Sequence, residues 1–189
     1  MLLNFRSPHG PQIDRIASCG GSITLSRALD CDAPAILDLV NRESRRSGAV
    51  LKVSNQQVSQ WIRNGSSFVA IDSAIPAVVA HMAVVKWPGC YEMRSVVVDG
   101  AYRGMGIYTS MSDAVISSIF DTDPHATVVM IKNENSGGAD LIKKQGFVEV
   151  PLKNVLEMEL VLQDPTGRRA FVLDIEAYRT MVFNDVFRR

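Results

Sequence analysis

Apolar and polar residues alternate over residues 22–28, with Ile23 and Leu25 on one side, and that two-residue period predicts a strand. The period then lengthens. Ile36, Leu37, Leu39 and Val40 recur at helical spacing behind Asp30 or Asp32, either of which suits an N-cap. Ser54 is placed to cap a second helix carrying Val58, Trp61 and Ile62, which Asn64-Gly65 would end. Two Val- and Ala-rich runs, 67–72 and 78–86, flank a short Ser-Ala-Ile-Pro connection and predict an antiparallel hairpin. Residues 91–98 predict a further strand, closed by Asp99-Gly100.

From 106 to about 120 the helical period returns in Ile107, Met111, Ala114, Val115 and Ile119. Residues 126–131 read as a buried strand and 135–145 as a helix stopped at Gly146. Residues 147–150 and 155–162 read as two closing strands. In 169–189, Phe171, Val172, Ile175, Tyr178, Met181, Val182 and Val186 fall at broadly helical intervals. A terminal helix packed within the domain or across a homodimer is expected there, with an interaction surface as the alternative. Pro8, Gly10, Pro11 and Gly20-Gly21 predict a loose arm over 1–21, so the domain is expected to span 22–162.

Composition narrows the classes. A length of 189 residues suits one domain or one domain with an appendage, and 47% hydrophobic residues can bury a sizeable core. Lys plus Arg and Asp plus Glu balance at 20 each, so no overall positive field draws the chain to nucleic acid or an anionic membrane. Cys19, Cys31 and Cys90 fit neither a disulfide framework nor a zinc site, no metal is expected, and a reducing compartment follows. The apolar stretch 75–85 is short for a bilayer and is broken by Pro76 and His81. The first residues lack a continuous apolar leader core, so the expectation is a cytoplasmic protein.

The run Val96-Val97-Val98-Asp99-Gly100-Ala101-Tyr102-Arg103-Gly104-Met105-Gly106-Ile107 carries the chemistry. An apolar strand feeds a glycine turn, and a helix begins with its first amides unpaired and its dipole positive. Such an end binds phosphate, with Arg103 adding a full charge. A tight strand-to-helix turn is the plain alternative. No Lys-Ser/Thr pair follows as in a P-loop, and neither the third glycine nor the early position of a dinucleotide fold is present.

Arg103, Gly104, Met105, Gly106, Ile107 and Tyr108 resemble the acetyl-CoA motif of the GNAT superfamily of N-acetyltransferases: Arg or Gln, two residues, Gly, one residue, then Gly or Ala. Tyr108 stands where the family usually has a small residue, and Gly100 where proline is common. Residues 135–147, opening on Asn135 and closing on Gly146-Phe147, look like the family's second cofactor segment. The resemblance covers about residues 22 to 162. It implies an α/β (α+β) fold with a mixed, mostly antiparallel sheet of six or seven strands flanked by helices. Acetyl-CoA would enter as a cosubstrate where the fourth and fifth strands splay, against Val97, Val98, Arg103, Gly104, Met105, Gly106, Ile107, Tyr108 and Asn135.

The family's reaction, as the resemblance implies it, is direct attack of a primary amine on the thioester within a ternary complex. An amine with a pKa near 10.4 is mostly protonated at neutral pH, so a base or water chain is required. Glu92, eleven positions before Arg103, resembles the catalytic glutamate of the histone-acetylating branch; a solvated strand face is its plain reading. His81 is the second candidate base, and a packed core histidine its commoner reading. The family often carries a proton-donating tyrosine four positions before the closing Gly, where this chain has Ile142, which leaves Tyr108, Tyr102 or water. A backbone amide near Val97 or Val98 would hold the oxyanion.

Cys90 reads as a buried or incidental thiol. Arg45 and Arg46 could hold an acceptor carboxylate, though solvated helix ends commonly look the same. The acceptor itself, whether small molecule, amino acid or protein, is named by no motif. A GNAT-fold acyl-CoA sensor without catalysis is the alternative function.

Overall fold

The computed structural model describes residues 13–18, 21–47, 50–133, 138–156, 167–174, 176 and 178. Packing groups the chain into two compact units, each built from two stretches: Met1–Val84 with Arg94–Ser118, and Val85–Met93 with Ile119–Arg189.

The first unit is mainly antiparallel sheet plus helices. Strands β1 (Ile13–Ser18), β2 (Gly21–Arg27), β3 (Ser67–Asp72) and most of β4 (Ala77–Trp87) pair in that order, with Ile23 opposite Asp72 and Ser67 opposite Ala83. The later residues of β5 (Cys90–Val98) complete it. Its core holds Ile23, Leu25, Val69, Ala70 and Val79, together with Ile36, Leu39 and Val40 of α1 (Ala33–Ser47) and Val58 and Trp61 of α2 (Asn55–Arg63). Local signals explain the helix ends. The Ser54 hydroxyl accepts from the Gln57 amide at 3.2 Å, while the Gln57 side chain accepts from the Ser54 amide at 2.9 Å, a reciprocal cap. Gly65, at φ 64°, turns the chain out of α2 into β3.

The second unit holds the start of β5, paired in parallel with β6 (Val128–Asn133) at three positions, Tyr91 to Val128 through Met93 to Met130. Antiparallel to β6 runs β8 (Arg168–Leu173), and antiparallel to β8 runs the short β7 (Val148–Val150). Helix α4 (Ala139–Lys144) ends at Gly146, whose φ of 86° and amide bond to the Lys143 carbonyl at 3.0 Å make the predicted stop. Cys90, Val129, Val155 and Ala170 form a core with α5 (Leu152–Leu156) alongside.

The sheet is mixed and mostly antiparallel, as expected, and has eight strands among the described residues. Two of them replace a different expectation. Residues 13–18, read as loose arm, pair antiparallel with β2 up to Ser18 and Gly21, because a partner strand and not composition decides a strand there. Residues 169–173, read as the start of a helix, form β8. Lying between β6 and β7, β8 finds backbone partners on both sides, and Phe171-Val172 fits a short buried strand as well as a helix face. Residues 155–156, read as strand, end α5, and 157–162 lie outside the described residues. Among the described residues no helix is long and apolar enough to cross a membrane.

Candidate cofactor loop and active-site residues

Strand β5 hands over to α3 (Ile107–Thr122) through a 3-10 turn, Gly100–Tyr102, capped by the Asp99 carboxylate on the Ala101 amide at 3.0 Å. Gly104 and Gly106 follow at φ 81° and 75°, a left-handed conformation that side chains disfavour. Both face open space, with nothing within 4 Å of an added Cβ. The first backbone bond into α3 runs from the Ser110 amide to the Gly106 carbonyl at 3.0 Å. A helix supplies no intrahelical acceptor for the amides of its first turn, so the bare backbone at 104–106 leads to a positive helix end.

Arg103 has partners within the fold. Its Nε donates to the Val98 carbonyl at 3.3 Å and its terminal nitrogen pairs with the Glu43 carboxylate of α1. The Glu43 side chain is 4% exposed and that of Arg103 54%. Sequence reasoning missed Glu43, although a signal existed: Ile36, Leu39, Val40 and Glu43 share one helical stripe, so a carboxylate continues an apolar face. Arg46 lies 3.7 Å from Glu43 and across Gly100, where an added Cβ would sit 2.4 Å from its guanidinium. Arg45 is exposed, as a solvated helix end would be.

Upstream in β5 the backbone is bent. Ser95 has φ 52°, the single non-glycine residue with positive φ among those described. His81 of β4, fully buried, contacts its carbonyl through Nδ1 at 3.1 Å and the Ser67 hydroxyl through Nε2 at 3.0 Å. A carbonyl only accepts, so Nδ1 carries the proton and Nε2 accepts from Ser67. Burial lowers His81 to about 4, against the smaller opposing pull of the Ser95 carbonyl. Its ring stacks on Trp61 at 5.9 Å. Both nitrogens are occupied within the fold, the arrangement expected of a packed core histidine. Val97 is buried and Val98 half-buried beyond the bend.

The remaining candidates divide by environment. Glu92, 5% exposed, accepts the Trp87 indole N–H at 3.1 Å, so it is not on a solvated face. Neighbouring Cys90 is pushed up to about 11 by burial and then by the Glu92 charge, an inert thiol. Tyr102 donates to Asp72 at 2.7 Å, which engages its hydroxyl. Burial, joined by the Asp113 charge and opposed by a Ser112 hydrogen bond, pushes Tyr108 up to about 12. Ile142 is buried in α4, and Asn135 lies outside the described residues.

No family model matches the sequence, and no curated protein matches it. Solved structures do. Rv2747 of Mycobacterium tuberculosis, in complex with CoA, is 22% identical at a TM-score of 0.63, over 79% of this chain and 98% of that one. An acetyltransferase of the GNAT family from Staphylococcus aureus is 12% identical at a TM-score of 0.68, over 81% and 99%. The Escherichia coli GNAT family N-acetyltransferase YhbS, in complex with CoA, is 19% identical at a TM-score of 0.56, over 86% and 88%. Likeness at these identities establishes the fold: the chain has the GNAT fold.

Proposed function

With that fold as premise, we propose that the protein is a cytoplasmic N-acetyltransferase that carries the acetyl group of acetyl-CoA to a primary amine of a small molecule, amino acid or protein. The observation that carries this reading is the pair of left-handed glycines, Gly104 and Gly106, opening into free space at the start of α3. Backbone amides there can approach a pyrophosphate as no substituted residue would allow. Met105, Ile107 and Tyr108 share this segment, and Asn135 is assigned to the second cofactor segment.

In the reaction, Glu92 takes a proton from the amine, directly or through water. The neutral nitrogen then attacks the thioester carbonyl, and the C–S bond breaks as the N–C bond is kept. An amide at Val97 or Val98 holds the oxyanion. Tyr108, near 12, is a poor acid toward a thiolate whose conjugate acid is near 8.5. It therefore supplies a hydrogen bond to the leaving sulfur, and the thiolate takes up, relayed through water, the second proton that the nitrogen loses as the amide forms.

Acetyl-CoA incubated with a pooled panel of amines, with free CoA read by a thiol reagent, tests the reading. Turnover should fall by about a hundredfold or more in Glu92→Gln with acetyl-CoA binding retained. Gly106→Val, which puts a β-branched residue at φ 75°, should weaken acetyl-CoA by about a hundredfold. Ile142, buried in the slot of a proton donor, favours a second reading, an acyl-CoA sensor. Tight binding without CoA release for any amine would select it.

A further inference from the structure

One face of α1 reaches three residues of the turn before the glycines, Asp99, Gly100 and Arg103. Arg42 donates to the Asp99 carboxylate at 2.7 Å, and the other Asp99 oxygen caps the Ala101 amide at 3.0 Å. Arg46 crosses Gly100 and lies 3.7 Å from Glu43. Glu43 itself, buried to 3% exposure, takes the terminal nitrogen of Arg103, whose Nε reaches back to the Val98 carbonyl at 3.3 Å. Residues 98–103 are thus held at both ends before the chain enters its two left-handed glycines.

We propose that Glu43 is a positioning residue for the acyl-CoA loop, holding Arg103 as a strut of that loop so that the amides after it, and not the Arg103 guanidinium, meet the pyrophosphate. The inference rests on the acyl-CoA reading of the loop. Burial supplies the reason. A carboxylate out of water needs its cation, and a phosphate that drew Arg103 away would leave Glu43 with the longer Arg46 contact at 3.7 Å in place of its close partner. Glycine-rich backbone loses much freedom on ordering, so a loop held in shape beforehand binds its ligand more tightly.

A double-variant cycle tests this, using Glu43→Gln, Arg103→Gln and both together, with acetyl-CoA affinity from calorimetry and steady-state kinetics. If Arg103 acts through Glu43, each single variant weakens acetyl-CoA by about tenfold and the pair by no more than that, because the same strut is lost once. The loss falls on the KM for acetyl-CoA, with kcat moved several-fold less. Additive losses, reaching about a hundredfold in the pair, would make Arg103 a direct phosphate contact and overturn the proposal, as would unchanged affinity in Glu43→Gln. Glu43→Met, apolar and similar in volume, carries the same expectation should Glu43→Gln not fold.

Amide hydrogen exchange over residues 99–107 of the unliganded protein separates this proposal from the acyl-CoA reading. Exchange there should speed up by about tenfold in Glu43→Gln, whether or not the wild-type protein binds acetyl-CoA. Unchanged exchange refutes the strut. Absent binding by the wild-type protein refutes the acyl-CoA reading instead.

Discussion

Two glutamates each face two cations, one in either unit, and their surroundings make them different objects. Glu149 on β7 takes Arg169 with both oxygens, at 2.7 and 2.6 Å, and Lys143 at 3.0 Å. Arg169, and then Lys143, hold it down at about 2. Glu43 on α1 has Arg103 as its close partner and Arg46 at 3.7 Å. By geometry Glu149 is the better ion pair. Its side chain is 34% exposed, however, against 4% for Glu43. Water and salt screen the first, whereas the second cannot lose Arg103 without leaving its buried charge to the longer Arg46 contact. Burial, more than hydrogen-bond count, decides which pair the fold depends on.

The sharpest way to break that comparison is Arg103→Gln, which takes the close partner from the buried carboxylate and should cost about 3 kcal/mol in urea unfolding. Glu43→Gln removes the buried charge and should cost clearly less, and adding it to Arg103→Gln should restore much of the loss. A larger loss in Glu43→Gln than in Arg103→Gln would contradict the burial argument.

Acid separates the two units next. The unfolded chain protonates His81 below about 6.5 and the folded protein only near 4, so stability should drop by about 3 kcal/mol as pH falls through that window. His81→Gln should flatten it. Glu149, held down at about 2, stabilises above 4.5, and its contribution is lost as pH falls from 4.5 to about 2. Loss confined below 4.5 in the wild-type protein would mean that His81 is not sealed from water.

Smaller still is Gly100→Ala. The added Cβ meets only the tip of Arg46, a flexible side chain, so the net cost should stay under about 1 kcal/mol by thermal melting. A larger cost would show that Arg46 is a fixed part of the Glu43 cluster. Smallest is Glu149→Gln, whose effect on the melting temperature at neutral pH should be slight and should vanish in molar salt.

Much of the fold was legible because its signals are local. The Ser54 cap, the Asn64-Gly65 stop, the β3–β4 hairpin, the Gly146 stop and the glycine turn into α3 each depend on residues close in the chain. Strands β1 and β8 were misread because pairing partners, not spacing, select a strand there. At the candidate site the glycines could be read directly from the sequence. The partner of Arg103 could not, because it lies sixty positions away on α1.

The sequence by itself determined where backbone must be bare, at Gly104 and Gly106, since only glycine adopts those dihedrals at little cost. It determined as well the helix that starts behind them. Only the tertiary structure decided what the polar residues meet: that Arg103 pairs with Glu43, that both His81 nitrogens are engaged, and that buried Glu92 accepts the Trp87 indole N–H. Dihedral preference is a property of one residue and its neighbours. The state of a charge depends on what excludes water from it, and that is assembled from distant parts of the chain.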